Sequence, residues 1–505
     1  MARPLPPRDP VSRFRLLVRN SAANIAAGAA NALLAVALPP VLVRYLSAAE
    51  FSAWSVVLQL AAIVYVLQFG VQVAVGRYVA YYTARADVES RRQIVSTALG
   101  TMWISAAVAL VMVALMSAFL PYWFPGMPED LHGDARLALL LIGASLALTL
   151  PASVVAGVYS GLQRNDVPAM FIIVSRFIVA LALFVLASRG FGLLPMAVAY
   201  AAIIGATSLV QIGFLDRVRM GLSFSRTAVT RAAGRELAAY CFSLTIWSAA
   251  LLVSSGLDAV IAGRLDFGWA AYFGIAASAV ALIVGLQSAM LQPLIAIAAH
   301  LHSRGEKREL GALLVEATRI SVLVFLAAIA PLYFAGDWIA RIWVGDVMGP
   351  QVLPIVQVLL LGVFLRQTLA PFATILLGTG EQRLIILPPV YEAIAKLATS
   401  IGLGVWLGPI GIALGTLVGS TVCVATNVLF TFPRVKGIKI ETMPFLLRAI
   451  GQPFMLFAPL LLLPWVQGNA NGVTDFTLRA ALVVIVAAGS SLVALASLRR
   501  MRTLV

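Results

Sequence analysis

The chain alternates long apolar segments with short polar ones over almost its whole length. Each apolar segment is about 20–30 residues long, enough for a helix to cross a hydrocarbon core about 30 Å thick. The pattern predicts an all-α integral membrane protein with 14 spanning helices, near 20–43, 51–74, 94–120, 135–160, 168–188, 193–215, 237–262, 267–298, 311–334, 352–378, 384–406, 410–432, 445–466 and 475–497.

Composition and charge agree with a membrane protein. Hydrophobic residues make up 61% of the chain and charged residues 11%, whereas about 25% charged is typical of soluble domains. Of the 36 Lys and Arg residues, 26 lie on the N-terminal side of the predicted membrane and six on the other. Because Lys and Arg gather in cytoplasmic loops, this asymmetry predicts a cytoplasmic N-terminus, and the even number of spans predicts a cytoplasmic C-terminus. The net charge of +15 therefore reflects topology and does not indicate a nucleic-acid partner. We also expect no cleavable signal peptide, because the first apolar segment is too long.

An internal repeat with an offset of 219–220 residues relates the two halves of the chain. Because the offset covers six helices, an even number, the halves enter the membrane from the same side. This is a parallel repeat, which is expected to place the substrate site at the interface between the halves. We therefore predict two pseudo-symmetric six-helix lobes, a basic cytoplasmic linker and an appendage with two extra helices and a cytoplasmic tail. Their boundaries are 1–216, 217–236, 237–433 and 434–505.

The repeat pairs two cations that lie inside spanning segments. Arg176 is in the fifth span, and Lys396 follows it by 220 residues in the eleventh. A cation at the centre of a spanning helix costs about 2.5–3.5 kcal/mol on insertion scales, so it usually marks a pathway or a paired site. Lys396 could pair with Glu392 one turn away and Arg176 could bond to backbone carbonyls, or both could line a cationic cavity for an anion. Arg366 breaks the symmetry and could extend the cationic patch or bond within the second lobe.

Neutral amides add a second group of candidate residues. Amide groups both donate and accept hydrogen bonds, which suits hydroxyl-rich ligands. They also bond helices to each other in membranes, so both interpretations stay open. The candidates for glycan contact are Asn24, Asn31, Gln68, Gln72, Gln287 and Gln292.

The remaining polar residues indicate structure or gating rather than catalysis. Asp258 could pair with Arg264 or belong to a gate, and Glu392 is a second candidate for gating or coupling. Glu316 and Arg319, three residues apart, are expected to form a local ion pair. Cys241 and Cys423 are expected to be buried thiols without a disulfide. The sequence contains no metal-spaced histidine cluster, no phosphate-binding loop and no long soluble loop, so we expect neither an enzyme nor a metal or cofactor.

Three segments resemble Wzx-type polysaccharide flippases, which belong to the multidrug/oligosaccharidyl-lipid/polysaccharide (MOP) flippase superfamily. They read NSAAN…LPPVLVRYLSAAEFSAW in 20–54, LDAVIAGRLDFGWAAY in 257–272 and WIARIWVGD in 338–346. The resemblance covers nearly the whole chain, but its motifs are diffuse. It identifies the family better than the substrate.

The resemblance implies an alternating-access flippase in the bacterial cytoplasmic membrane. Its substrate would be undecaprenyl-diphosphate-linked oligosaccharide, moved from the inner to the outer leaflet for O-antigen, capsule or exopolysaccharide synthesis. The resemblance assigns Arg176, Lys396 and Arg366 to the diphosphate and the amides to the glycan. It further implies contact with membrane lipid and with polysaccharide polymerase or assembly proteins, and a monomeric state. Coupling of export to a proton or a sodium ion stays open.

Three alternatives remain open. A drug exporter of this superfamily would be expected to carry an acidic residue in the first span, and here that span has none. A lipid II-type flippase would be expected to have more arginines in its first lobe. A membrane glycosyltransferase or polymerase would be expected to have a large external loop with catalytic acids.

Overall fold

The computed structural model describes residues 26–31, 35–215, 225–438, 440, 442–459 and 472–504. Within these ranges the chain is almost entirely helical and contains no strand. Eleven helical segments are long and apolar enough to cross a membrane, or 12 if one bent pair counts as a single span. The protein is therefore a multi-pass membrane protein.

The helices follow the predicted order. In the first half they are α1 (Ala26–Tyr45), α2 (Ala48–Ala62), α3 (Val71–Ala84), α4 (Val88–Trp123), α5 (Glu129–Gly161), α6 (Asp166–Ser188), α7 (Leu193–Gly213), α8 (Arg231–Gly256) and α9 (Asp258–Leu265). In the second half they are α10 (Trp269–Ser303), α11 (Lys307–Phe334), α12 (Gly336–Gln367), α13 (Ala370–Thr379), α14 (Leu387–Leu407), α15 (Pro409–Thr426), α16 (Thr442–Phe445), α17 (Gln452–Phe457) and α18 (Gly472–Leu504).

The first 12 predicted spans all have a counterpart in these helices, but the last two are not among the membrane-crossing segments found. The described part of the thirteenth is a short apolar helix, Leu446–Phe457, and the fourteenth corresponds to α18. The count of 14 spans and the cytoplasmic position of both termini therefore stay predictions.

Local sequence signals explain several helix ends. Ser47 and Glu50 form a capping box at the start of α2, each side chain accepting a hydrogen bond from the other residue's backbone. Asp87 accepts a hydrogen bond from the Ser90 backbone at 3.0 Å and caps α4. Its hydrogen bonds to Ser90 hold the pKa of the Asp87 carboxyl below its usual value.

The chain divides into two compact units. Residues 1–286 and 400–412 form unit 1, and residues 287–399 and 413–505 form unit 2. Unit 1 contains α8, which begins the predicted second lobe. The Thr230 backbone, just before α8, donates to Thr97 Oγ1 on α4 at 3.2 Å, and Tyr82 on α3 donates to Glu236 at 3.3 Å. The contact-based units thus follow different boundaries from the sequence repeat, whose lobes stay a prediction.

Candidate functional site

Unit 1 contains a cavity of about 360 Å³ that includes the intramembrane cation Arg176. This volume lies at the lower end of the range of small-molecule sites, about 300–1,000 Å³. Most of the wall is apolar, with a few polar groups, which is typical of binding pockets. The lining residues that carry polar or aromatic groups are Asn31, Phe51, Trp54, Ser55, Gln59, Arg176, Tyr200 and Ser278.

Helical spacing explains why Arg176 faces this cavity. Val179 and Leu183 follow it at three and seven residues along α6, and both are buried cavity-lining residues. Residues at these spacings share one helix face. The same face of α6 therefore carries the packing residues and the charge, while its opposite side exposes Phe177 and Leu181.

The partners of the Arg176 guanidinium are phenols. Nη1 donates to the Tyr200 hydroxyl on α7 at 3.5 Å, and the Tyr65 hydroxyl also interacts with the guanidinium. Among the described residues, no carboxylate forms an ion pair with Arg176. Because a neutral hydroxyl orients the guanidinium without cancelling its charge, the cavity keeps a net positive group.

An aromatic contact holds Tyr200 in place. Its ring packs edge-on against the Trp54 indole of α2, with centroids 6.2 Å apart and planes at 83°. Both side chains are buried. An edge-to-face pair of this kind adds about 0.5–1.5 kcal/mol beyond the area it buries. The contact fixes the ring whose hydroxyl accepts from Arg176.

The second predicted span is broken next to this site. Between α2 and α3 the chain forms a 3₁₀ helix, Ile63–Gln68, which carries Tyr65. Phe69 and Gly70 then adopt left-handed backbone conformations, with φ of 52° and 65°. A left-handed non-glycine residue stores strain that the surrounding structure must offset, and such residues cluster at functional sites.

In unit 2, the predicted cations Arg366 and Lys396 lie with an acid. Arg366 Nη1 lies 3.4 Å from Glu392 Oε1, and the two side chains are only 13% and 1% exposed. Lys396 is one turn from Glu392 on α14 and is 1% exposed. Glu392 therefore forms an ion pair with Arg366. The pairing of Lys396 with Glu392, which is one interpretation of the sequence, stays a prediction.

Close packing surrounds this charge cluster. A Cβ atom at Gly419 of α15 would lie 2.7 Å from Lys396 Cβ and 3.0 Å from the Glu392 carbonyl oxygen. The Cys423 thiol, one turn further on, lies beside Glu392. Asn427 donates to the Cys423 carbonyl at 2.9 Å and begins a π-helix, Asn427–Thr431. Both cysteines are free and buried, as predicted.

The predicted amide candidates have different surroundings. Asn31 lines the unit 1 cavity. Gln68 and Gln72 contact each other at 3.5 Å. Gln287 forms a reciprocal pair with Gln367, donating to its carbonyl at 2.9 Å and accepting from its amide at 2.8 Å. Asn24 and the side chain of Gln292 lie outside the described residues.

The other predicted polar residues also have defined positions. Arg319 forms the expected ion pair with Glu316 at 3.0 Å, so that prediction is confirmed. The Arg319 guanidinium also donates to the Arg448 carbonyl at 3.0 Å. Arg500 of α18 reaches the other Glu316 oxygen at 3.3 Å. Asp258 is buried at the start of α9, at the bend of the seventh span.

Sequence reasoning missed the residues that surround Arg176. Tyr200, Trp54 and Gln59 line the cavity, and Gln59 also accepts from the Ala259 backbone at 2.9 Å. Tyrosine and tryptophan in an apolar segment carry no charge signal. Tyr200 follows Arg176 by 24 residues on another helix, so no local spacing connects them.

The all-helical membrane fold, with a largely apolar cavity beside a broken span, resembles the fold of solved MOP-superfamily transporters. It resembles the lipid II flippase MurJ in an inward closed conformation, with a TM-score of 0.71 and 13% identity over 95% of this chain and 98% of that one. It also resembles an inward-facing multidrug resistance MATE transporter, with a TM-score of 0.66 and 15% identity over 82% and 98%. These likenesses concern the fold.

Sequence comparison identifies the family. Residues 17–303, more than half of the chain, match the family described as polysaccharide biosynthesis protein, and the chain belongs to it. Over 131 residues the chain is also 30% identical to the probable multidrug resistance protein NorM of Rhodopseudomonas palustris. That alignment spans 25% of this chain and 28% of the relative. The family is thus shown by the sequence and the fold by the likeness to solved transporters.

Proposed function

We propose that the protein is a flippase that moves polyprenyl-diphosphate-linked oligosaccharide across the bacterial cytoplasmic membrane by alternating access. It would carry the lipid-linked glycan from the inner to the outer leaflet for surface polysaccharide synthesis. The observation that carries this proposal is the Arg176 guanidinium, which lines a cavity and has phenolic partners rather than an acidic one. Membership of the polysaccharide biosynthesis family supports the substrate class.

The chemistry of the cavity suits the phosphorylated end of such a substrate. A guanidinium binds phosphate oxygens through paired hydrogen bonds. Amides such as those of Asn31 and Gln59 can both donate to and accept from sugar hydroxyls. The polyprenyl chain would stay in the bilayer. Lys396 and Arg366 would serve the diphosphate only in a state that exposes them, since both are largely buried here.

The membrane potential favours export of this substrate. An inside-negative potential of 100 mV assists outward movement of one negative charge by about 2.3 kcal/mol, if the charge crosses the whole field. Coupling to a proton or sodium ion stays a prediction, with Glu392 and Asp258 as the candidate residues. Polysaccharide polymerase or assembly proteins are the proposed protein partners.

A drug exporter is the second candidate, favoured by the local identity with NorM. The two candidates differ in the sign of the cargo, because Arg176 in the cavity would repel an organic cation and attract an anion. Aromatic residues such as Trp54 would suit either cargo.

Lipid extraction from a deletion strain separates these candidates. We expect polyprenyl-diphosphate oligosaccharide to accumulate in the deletion strain, and its mass would identify the glycan. Re-expression of the native protein should clear it, whereas the Arg176→Gln variant at the same protein level should not. Altered drug tolerance without lipid accumulation would favour the exporter and contradict the proposal.

A further inference from the structure

The segment that precedes the tenth span is a separate short helix. The apolar helical stretch Gly336–Thr379 contains 44 residues. A straight helix of that length would extend about 66 Å, roughly twice the thickness of the hydrocarbon core. Gly345, with φ of 89° and ψ of 170°, interrupts it. Residues 336–344 therefore form their own helix between the end of α11 and the helix that crosses the membrane.

One face of this short helix packs against unit 2. Gly336, Ala340 and Val344 recur every four residues, and all three are buried. A Cβ atom at Gly349, just after the break, would lie 2.9 Å from the Ala340 carbonyl carbon. A Cβ atom at Gly336 would lie 2.7 Å from the Leu353 side chain. The helix is therefore held firmly against its own unit.

A second face is apolar and exposed. Trp338 and Ile342 are four residues apart and are 67% and 56% exposed, and Val347 beyond the break is 82% exposed. In water, uncovered side chains of this size would be unfavourable, at about 25 cal/mol per Å² of apolar area.

A third face is charged and also exposed. Arg341 Nε lies 2.8 Å from Asp337 Oδ2, and Arg341 Nη1 lies 3.5 Å from Asp346 Oδ1. The three side chains are 44%, 62% and 84% exposed. Charged groups with this exposure do not belong in the hydrocarbon core, where each would cost several kcal/mol.

We propose that residues 336–344 form an interfacial helix that binds the headgroup layer of the bilayer. Trp338 and Ile342 insert at the acyl boundary, while Asp337, Arg341 and Asp346 stay in water. The lipid is the occupant because the helix directly follows α11, which is long and apolar enough to cross a membrane, and carries an exposed apolar face beside a charged one. Tryptophan is enriched at this depth, and amphipathic helices of this kind lie in the interface plane. Because the segment has two acids and one base, neutral phosphatidylcholine is sufficient and binding needs no anionic lipid. The inference does not depend on what the protein transports.

Site-specific fluorescence quenching tests this placement in the full-length protein, reconstituted in phosphatidylcholine vesicles. Ile342→Cys and Asp337→Cys are each labelled with bimane. Native protein treated with the same reagent shows how much label its two buried thiols take up. We expect the label at 342 to lose fluorescence to lipids spin-labelled near the headgroup and to resist aqueous iodide. The label at 337 should show the reverse. Val347→Cys repeats the first measurement if Ile342→Cys does not reconstitute.

Three results would overturn the proposal. Iodide quenching at 342 equal to that at 337 would place the apolar face in water. Quenching of both labels by lipids spin-labelled near the chain terminus would place the segment in the core. Protection of 342 from both kinds of quencher would mean that a protein surface covers it.

Discussion

Two intramembrane arginines of this protein have different electrostatic surroundings. Arg176 in unit 1 lines a cavity, and its partners are phenol hydroxyls. Arg366 in unit 2 lies in a closed cluster, 3.4 Å from the buried carboxylate of Glu392. The first keeps a charge available to a ligand, whereas the second is neutralised by the protein. Both arginines lie inside spanning segments, so their position along a span does not distinguish them. The partner of the buried cation therefore decides whether it can serve as a binding group.

The largest expected effect is on stability, in unit 2. Glu392→Gln leaves the Arg366 guanidinium buried without a counter-charge, and removing one partner of a buried ion pair costs about 3–5 kcal/mol. We expect a matching loss in the free energy of unfolding, measured by denaturant titration in mixed micelles. The control is Arg366→Met combined with Glu392→Leu, which removes both charges of this pair but leaves the buried Lys396, so it should recover part of the loss. Equal destabilisation of the single and double variants would show that the ion pair has no such role.

The next effect is on transport, in unit 1. Arg176→Gln removes the cavity charge while its partners remain neutral, so stability should change little. Hydrogen bonds to charged groups contribute about 1.5–3 kcal/mol, so substrate export per folded protein should fall at least about tenfold. Export is measured as lipid-linked oligosaccharide that reaches the outer leaflet in cells. Arg176→Lys keeps the charge and should retain part of the activity. Normal export by the Arg176→Gln variant would show that the charge in this cavity is not needed for transport.

The sequence predicted the helices well because a spanning helix can be identified from its length and apolar composition. The first 12 spans and the Glu316–Arg319 pair, which depends on local spacing, were predicted correctly. The break at Ile63–Gln68 was not, since its residues are as apolar as their neighbours. The contact of α8 with α3, through Glu236 and Tyr82, was also missed.

The candidate site was only half predictable for a related reason. A charge inside an apolar segment is conspicuous, so Arg176, Arg366 and Lys396 could be selected from the sequence alone. Their partners depend on which helices pack together, and apolar periodicity does not specify that. Glu392 suggested a pair with Lys396 one turn away, but its contact with Arg366, 26 residues away on another helix, could not be predicted from the sequence.

A smaller effect tests how tightly the unit 2 cluster is packed. Gly419→Ala would place a Cβ atom 2.7 Å from Lys396 Cβ, so α14 and α15 must separate. Overpacking of this kind typically costs about 1–3 kcal/mol. We expect a lower midpoint of thermal unfolding, measured by intrinsic fluorescence of the protein in detergent. Gly402→Ala is the matched control, because a Cβ atom there would meet nothing within 4 Å. Equal midpoints for the two variants would mean that the cluster has room to adjust.

The smallest expected effect asks whether the phenol hydroxyl positions Arg176. Tyr200→Phe keeps the ring on Trp54 but removes the acceptor of the 3.5 Å hydrogen bond from Nη1. One such bond contributes about 1 kcal/mol, so the KM for export should rise roughly fivefold while the maximal rate changes little. Tyr333→Phe is the matched control, since its hydroxyl donates to the Gln357 carbonyl at 2.8 Å and it is not among the residues that line the cavity. A maximal rate that falls with KM unchanged would instead assign Tyr200 to the transport movement, and the guanidinium would not need it for binding.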